Sequence, residues 1–150
     1  ALDEAKFYRV GIMSYSCKYA SQFYGPFRSA SGCQLKSNRL SYQMNPGNWK
    51  EAIHEATLDV GESADFLMVK PAGHYLDIIA RLNDQFDVPI VAYQVSGEYA
   101  MLYHGASAGA LTFEPALYEA LLSIKRAGAS QIITYGAKQV LNWMQTENMK

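Results

Sequence analysis

Four short apolar runs rich in β-branched residues punctuate the chain: RVGIMSY (9–15), DFLMVK (65–70), VPIVAYQV (88–95) and SQIITYG (130–136). Each is too short for an ordinary helix, and each reads as a strand covered on both faces. Helical periodicity fills the gaps. NWKEAIHEATLDVGE (48–62) opens with Asn48 as an N-cap and Glu51 three places later. YLDIIARLNDQF (75–86) carries Leu76, Ile79, Leu82 and Phe86 on one face. GEYAMLYHGASAGA (97–110) follows the third run. EPALYEALLSIKRAG (114–128) has Pro115 near its start and Gly128 at its end, and AKQVLNWMQ (137–145) comes last.

This alternation predicts parallel strands joined by right-handed crossovers, an α/β protein. Two architectures satisfy it: an open four-stranded sheet, or half of an eight-stranded α/β barrel. A whole barrel takes about 250 residues, more than the 150 present. The opening ALDEAKFYRV lacks an initiator Met and reads as the tail of a helix entering a strand. The expectation is one incomplete domain over 1–150, with an upstream half absent. The one long irregular stretch is 30–48, and loops of that length are commonly lids or binding loops.

Composition narrows the function classes. Apolar residues make up 49% and charged residues 18%, with 13 basic against 14 acidic side chains. That is a globular composition whose net charge gives no case for nucleic acid or an anionic membrane as partner. No apolar run is long enough to span a bilayer. Cys17 and Cys33 are the only cysteines and form no metal-type pair, so a reducing, cytoplasmic compartment is expected. His54, His74 and His104 are scattered, and each is open to surface, core or metal-ligand readings.

In parallel α/β folds the site lies at the carboxyl ends of the strands. Those ends deliver Ser14, Tyr15 and Ser16 with Lys18 just beyond, then Lys70, Ser96, and Thr134 with Tyr135. Lys70 is either a lysine snorkelling to water or an amine made nucleophilic by desolvation and a second cation. Lys18 would be that cation; alone it reads as a solvated helix residue. Arg28 and Arg39 are surface charges or carboxylate clamps. Ser96 caps the next helix or donates to a ligand carboxylate. Tyr135 is a core ring with a wet hydroxyl or a ligand contact, and Glu55 is by default a solvated helix residue. Phosphate-loop, dinucleotide and nucleophile-elbow motifs are absent.

Four stretches together, GIMSYSCKYASQFYGPFR, DFLMVKPAGHYLDII, YQVSGEYAM and SIKRAGASQIITYGAK, resemble the porphobilinogen synthase (δ-aminolevulinic acid dehydratase) family from about residue 8 onward. The resemblance implies the carboxyl-terminal half of a (β/α)8 TIM barrel. It also implies condensation and dehydration of two 5-aminolevulinate molecules to porphobilinogen through lysine Schiff bases, in tetrapyrrole biosynthesis. Lys70 matches the Schiff-base lysine for one substrate molecule and Lys18 the lysine engaging the other. Arg28, Arg39 and Gln43 match the groups around one carboxylate, Ser96 and Tyr135 those around the other, and Tyr24 and Phe27 match lid positions. Glu55 matches an allosteric Mg2+ ligand. The active-site metal, Zn2+ or Mg2+, would have its ligands in the absent half. A homo-oligomer, commonly an octamer, and a cytoplasmic or plastid location are implied too. His74 stands where many relatives have a small residue or proline. Two other functions stay open: an aldolase-type Schiff-base lyase, and a non-catalytic binding module of the same fold. The 150-residue chain alone is expected to be inactive or nearly so.

Overall fold

A computed structural model of the protein describes residues 2–32 and 42–146. The elements are β1 (Met13–Lys18), a 3-10 turn (Gln22–Tyr24), α1 (Gly25–Ala30), α2 (Trp49–Gly61), β2 (Phe66–Lys70), α3 (Leu76–Gln85), β3 (Ile90–Tyr93), α4 (Ser96–Ser107), α5 (Phe113–Arg126), β4 (Gln131–Ile133) and α6 (Ala137–Thr146). The strands are parallel and lie in chain order, β1-β2-β3-β4. This is the α/β arrangement expected, four parallel strands with flanking helices.

Alternation along the strands builds two different faces. Leu67, Val69, Ile90 and Ala92 are almost wholly buried and form one cluster with Ala52, Ala56, Ile79, Leu82 and Leu117 of the helices. Alanines in α2 keep that helix close to the sheet. The opposite face is partly open, with Met13, Tyr15, Ile133 and Tyr135 exposed.

The caps form as anticipated. Asn48 Oδ1 accepts from Glu51 N, and Asn48 Nδ2 donates to Glu51 Oε2. Past the end of α5, Gly128 sits at φ +114°, and a Cβ there would lie 2.7 Å from Asn83 Cβ. Only glycine combines that angle with that approach.

Three expectations need correction. β1 runs over 13–18 rather than 9–15, because a strand extends as far as its partner does: Met13 pairs with Phe66 and Lys18 with Lys70, while Arg9–Ile12 are exposed. Residues 2–6 form turns rather than a helix tail, with Lys6 at φ 63°, outside the helical region. In α3 the buried set is Ile78, Ile79 and Leu82, so the apolar stripe is broader than the one read from sequence. Residues 42–48 hold no named element before α2, as expected, but one isolated bridge ties them to the sheet. Met44 is buried and bridges to Tyr19, its N donating to Lys18 O and its O accepting from Ala20 N.

Leu82 is fully buried between α3 and the sheet. Leu82→Ala is expected to lower stability by roughly 2–5 kcal/mol, read as a shift in the urea unfolding midpoint with an unchanged slope.

Candidate active site

One irregularity in β1 sets the site. The register is Met13↔Phe66 and Ser14↔Leu67, then Cys17↔Val69 and Lys18↔Lys70, so β1 holds one residue more than β2 between the paired positions. Ser14 points to the helix layer and donates to Asp59 Oδ2 at 2.7 Å. A bulge reverses the phase, so Cys17 takes the helix side and Lys18 turns to the open face beside Lys70. Tyr19 N donates to Lys70 O at 2.9 Å and locks the register there. Lys18 is therefore the last residue of the strand, not a helix residue beyond it.

Lys70 Nζ sits among aromatic rings, 4.0 Å from the centroid of Tyr93, 5.2 Å from Tyr15 and 5.8 Å from Tyr24. Burial and then the charge of Lys18 push its pKa below the ordinary lysine value. The ring face of Tyr93 attracts the ammonium and restrains that shift. Lys18 Nζ lies 5.8 Å from the Tyr42 ring.

Residues 22–30 lie across the strand ends. Tyr24 is buried, its hydroxyl donating to Tyr19 O at 2.8 Å and reaching Lys70 O at 3.1 Å. Burial holds its pKa well above the usual tyrosine value. Phe27 is half exposed, and its N donates to Ser96 Oγ at 3.1 Å. The approach depends on Gly97, where a Cβ would come within 2.7 Å of Phe23 Cα. Ser96 is the first residue of α4 and Val95 the N-cap, so Ser96 does not cap the helix. Tyr24, Phe27, Lys70, Tyr93, Val95, Ser96 and Tyr135 enclose a recess with room for about one water molecule.

Tyr135 is half exposed, and burial followed by the neighbouring Tyr135 hydroxyl raises the Tyr93 pKa. Its strand end is held from behind. Thr134 Oγ1 donates to Gln94 Oε1 and accepts from Gly136 N. Arg28 Nη2 donates to Ser21 O, while Arg28 Nε, Gln43 Oε1 and Ser16 Oγ are buried with no hydrogen-bond partner among the described residues. Orphaned polar atoms of this kind mark places where a ligand or water completes the bonding. Arg39 and Cys33 lie outside the described residues.

The structure thus brings Lys18, Lys70, Ser96, Tyr135, Tyr24 and Phe27 to one end of the sheet, with Tyr93 and Tyr15 beside them. Sequence reasoning missed Tyr93 as a site residue. Its signal was available: it stands at an inward position at the end of its strand.

Glu55 is apart from this group, exposed on α2. Cys17 faces the helix side of β1, and burial followed by the charges of Asp59 and Glu55 pushes its thiol up to about 12, so it is an inert core residue. Among the described residues, no group of three or more His, Cys, Asp or Glu side chains is placed to hold a metal ion. Nor is any helix among them long and apolar enough to cross a membrane.

A family model described as delta-aminolevulinic acid dehydratase matches residues 1–143. The chain is 58% identical over 137 residues to the delta-aminolevulinic acid dehydratase of Escherichia coli K12, covering 91% of this chain and 42% of that protein. It is 51% identical over 150 residues to the chloroplastic protein of Physcomitrium patens, covering 99% of this chain and 35% of that one. A crystal structure of delta-aminolevulinic acid dehydratase (porphobilinogen synthase) from Toxoplasma gondii ME49, in complex with the reaction product porphobilinogen, superposes with a TM-score of 0.93 at 42% identity. It covers 99% of this chain and 44% of that one. The chain therefore spans less than half the length of these relatives.

Lys18→Met removes the cation beside Lys70 and is expected to raise the Lys70 pKa. The pH profile of Lys70 modification by an amine-selective reagent, followed by peptide mass spectrometry, should then move to higher pH. Lys18→Arg, which keeps the charge, should leave it in place.

Proposed function

The chain belongs to the delta-aminolevulinic acid dehydratase family, and on that premise we propose that it supplies the two-lysine part of a porphobilinogen synthase site. The observation that carries this reading is the pairing of Lys18 with Lys70 on neighbouring strand ends, with the Lys70 amine desolvated. An amine whose pKa is lowered by burial and a second cation is a better nucleophile for ketones. The reaction proposed joins two 5-aminolevulinate molecules into porphobilinogen with loss of two waters, which makes the enzyme a dehydrating lyase.

The Lys70 nitrogen adds to the keto carbon of one substrate molecule, and water leaves as the carbon–nitrogen double bond forms. Lys18 does the same for the other molecule. Ser96 and Tyr135 bind one carboxylate. Arg28 binds the second, with Gln43 close by; Arg39 joins them by resemblance. Substrate entry requires Tyr24 and Phe27 to lift from the recess, so residues 22–30 act as the inner part of a lid. Its closure excludes water and keeps the amine neutral.

The residues fit a metal only partly. Glu55 is an exposed carboxylate on which a hydrated Mg2+ ion can rest, and we assign the allosteric ion to it. The described residues hold no ligand set for an active-site Zn2+ or Mg2+, and no step above passes through one. The remaining barrel strands, the active-site metal ligands and assembly into an octamer belong to a full-length protein of this family, in the cytoplasm or a plastid.

Borohydride added with 5-aminolevulinate to the full-length protein is expected to leave a covalent adduct on Lys70. Lys70→Met should abolish it. Lys18→Met should keep it while porphobilinogen formation falls by about a hundredfold or more, the scale on which a positioned catalytic group counts. Absence of any adduct with active protein would overturn the assignment.

A further inference from the structure

Glu98 is the most buried carboxylate among the described residues at 5% exposure, and it sits in the first turn of α4. It has no Lys or Arg within ion-pair distance among them; His74 Nδ1, at 3.9 Å from Oε1, is its nearest basic group. A buried carboxylate is costly unless its oxygens are satisfied by hydrogen bonds. Here the donors are backbone groups on both sides of the recess. Oε1 accepts from Gly73 N at 2.7 Å and Oε2 from Val95 N at 2.7 Å, both short and charge-assisted. Ala72 N lies near enough to favour the charged carboxylate as well.

The positions of these donors give the contact its meaning. Ala72 and Gly73 form the turn directly after Lys70, and Val95 directly precedes Ser96. The approach has no slack, because a Cβ at Gly73 would lie 2.8 Å from Oε1. The segment over the recess reaches the same spot. His74 stacks on Phe23 at 4.3 Å between ring centroids, and Phe23 backbone lies on Gly97, next to Glu98. The turn after β2, the end of β3 and residues 22–28 thus converge on one carboxylate.

We propose that Glu98 is a positioning residue for the Schiff-base lysine, clamping the turn after Lys70 to the start of α4 so that Lys70, Ser96 and the overlying segment keep one spacing. This rests on the reading of Lys70 as the imine-forming amine. Glutamine at this position keeps the size but offers an NH2 where Gly73 N or Val95 N needs an acceptor, so the clamp opens on one side. Alanine at position 73 strains it from the other side with the carboxylate intact.

The test is borohydride trapping of 5-aminolevulinate on Lys70 in the full-length protein, at saturating substrate, resolved in time. Rate and final amplitude separate the two possible roles. A merely structural residue changes the amplitude, the fraction of folded sites, and leaves the rate at each site unchanged. A positioning residue changes the rate and leaves the amplitude. Glu98→Gln and Gly73→Ala are both expected to slow trapping about tenfold or more, the scale of a slightly misplaced reacting group, with near wild-type amplitude. A wild-type rate in Glu98→Gln overturns the proposal; if that variant does not fold, a wild-type rate in Gly73→Ala does so. No adduct in the wild-type protein defeats instead the Schiff-base reading on which the proposal stands.

Discussion

One extra residue in β1 decides where the second lysine goes. Ser14 and Lys18 have the same parity, so in a regular strand both would face α2, where Ser14 meets Asp59. A lysine there would stand against the alanines of α2, in the buried layer that Cys17 and Tyr19 fill instead. The shift between Ser14 and Cys17 reverses the phase. Cys17 and Tyr19 take the apolar side and Lys18 takes the open one. Bulges are favoured next to active sites for this reason, since they aim one side chain without rebuilding the sheet.

Two ammonium groups on adjacent strand ends repel, and the fold holds them together from behind. Leu67 and Val69 fix β2 against the helices. Tyr19 N bonds Lys70 O, and Met44 bonds the other side of β1 through Lys18 O and Ala20 N. Glu98 holds the turn after Lys70. The backbone is therefore more constrained than the side chains it presents. The repulsion adds to burial in lowering the Lys70 pKa, while these backbone contacts keep the strands in place.

Much of this architecture was legible in the sequence, for identifiable reasons. Buried parallel strands show as short apolar runs, and Asn48, Pro115 and Gly128 mark helix ends by chemistry that acts locally. Lys70, Ser96 and Tyr135 could be named because they end such runs. The bulge could not be read, since a one-residue phase change depends on the partner strand and leaves no local mark. The short helix within residues 22–30 left no periodic signal, because it is held by Gly97 and Ser96, some seventy residues away. Tyr93 was passed over as one aromatic among apolar neighbours. Glu98 was passed over because a glutamate in a first helical turn already has an ordinary reading, as a partner of the helix dipole. Only the backbone donors it reaches, at Gly73 and Val95, set it apart.

The two requirements of an amine nucleophile, placement and desolvation, are met by different parts of the fold. Among the described residues, the bulge, the Met44 bridge, the ring of Tyr93 and the Glu98 clamp, which align Lys18 with Lys70, all lie within residues 13–98. That internal completeness accords with a backbone match of 0.93 over 99% of this chain to less than half of a relative. Desolvation is different. The face that bears Lys70 also leaves Tyr15, Ile133 and Tyr135 exposed, so solvent still reaches the wall around the amine and stabilises its charged form. In a closed barrel that face turns inward. Covering it would remove water from around Lys70 without altering its distance from Lys18. The repulsion between the two lysines would then act through a lower dielectric and grow stronger, and both effects lower the Lys70 pKa further. On the proposed reading, the position of the amine is thus a local property of these four strands, whereas enclosure by further strands of a barrel would raise its reactivity.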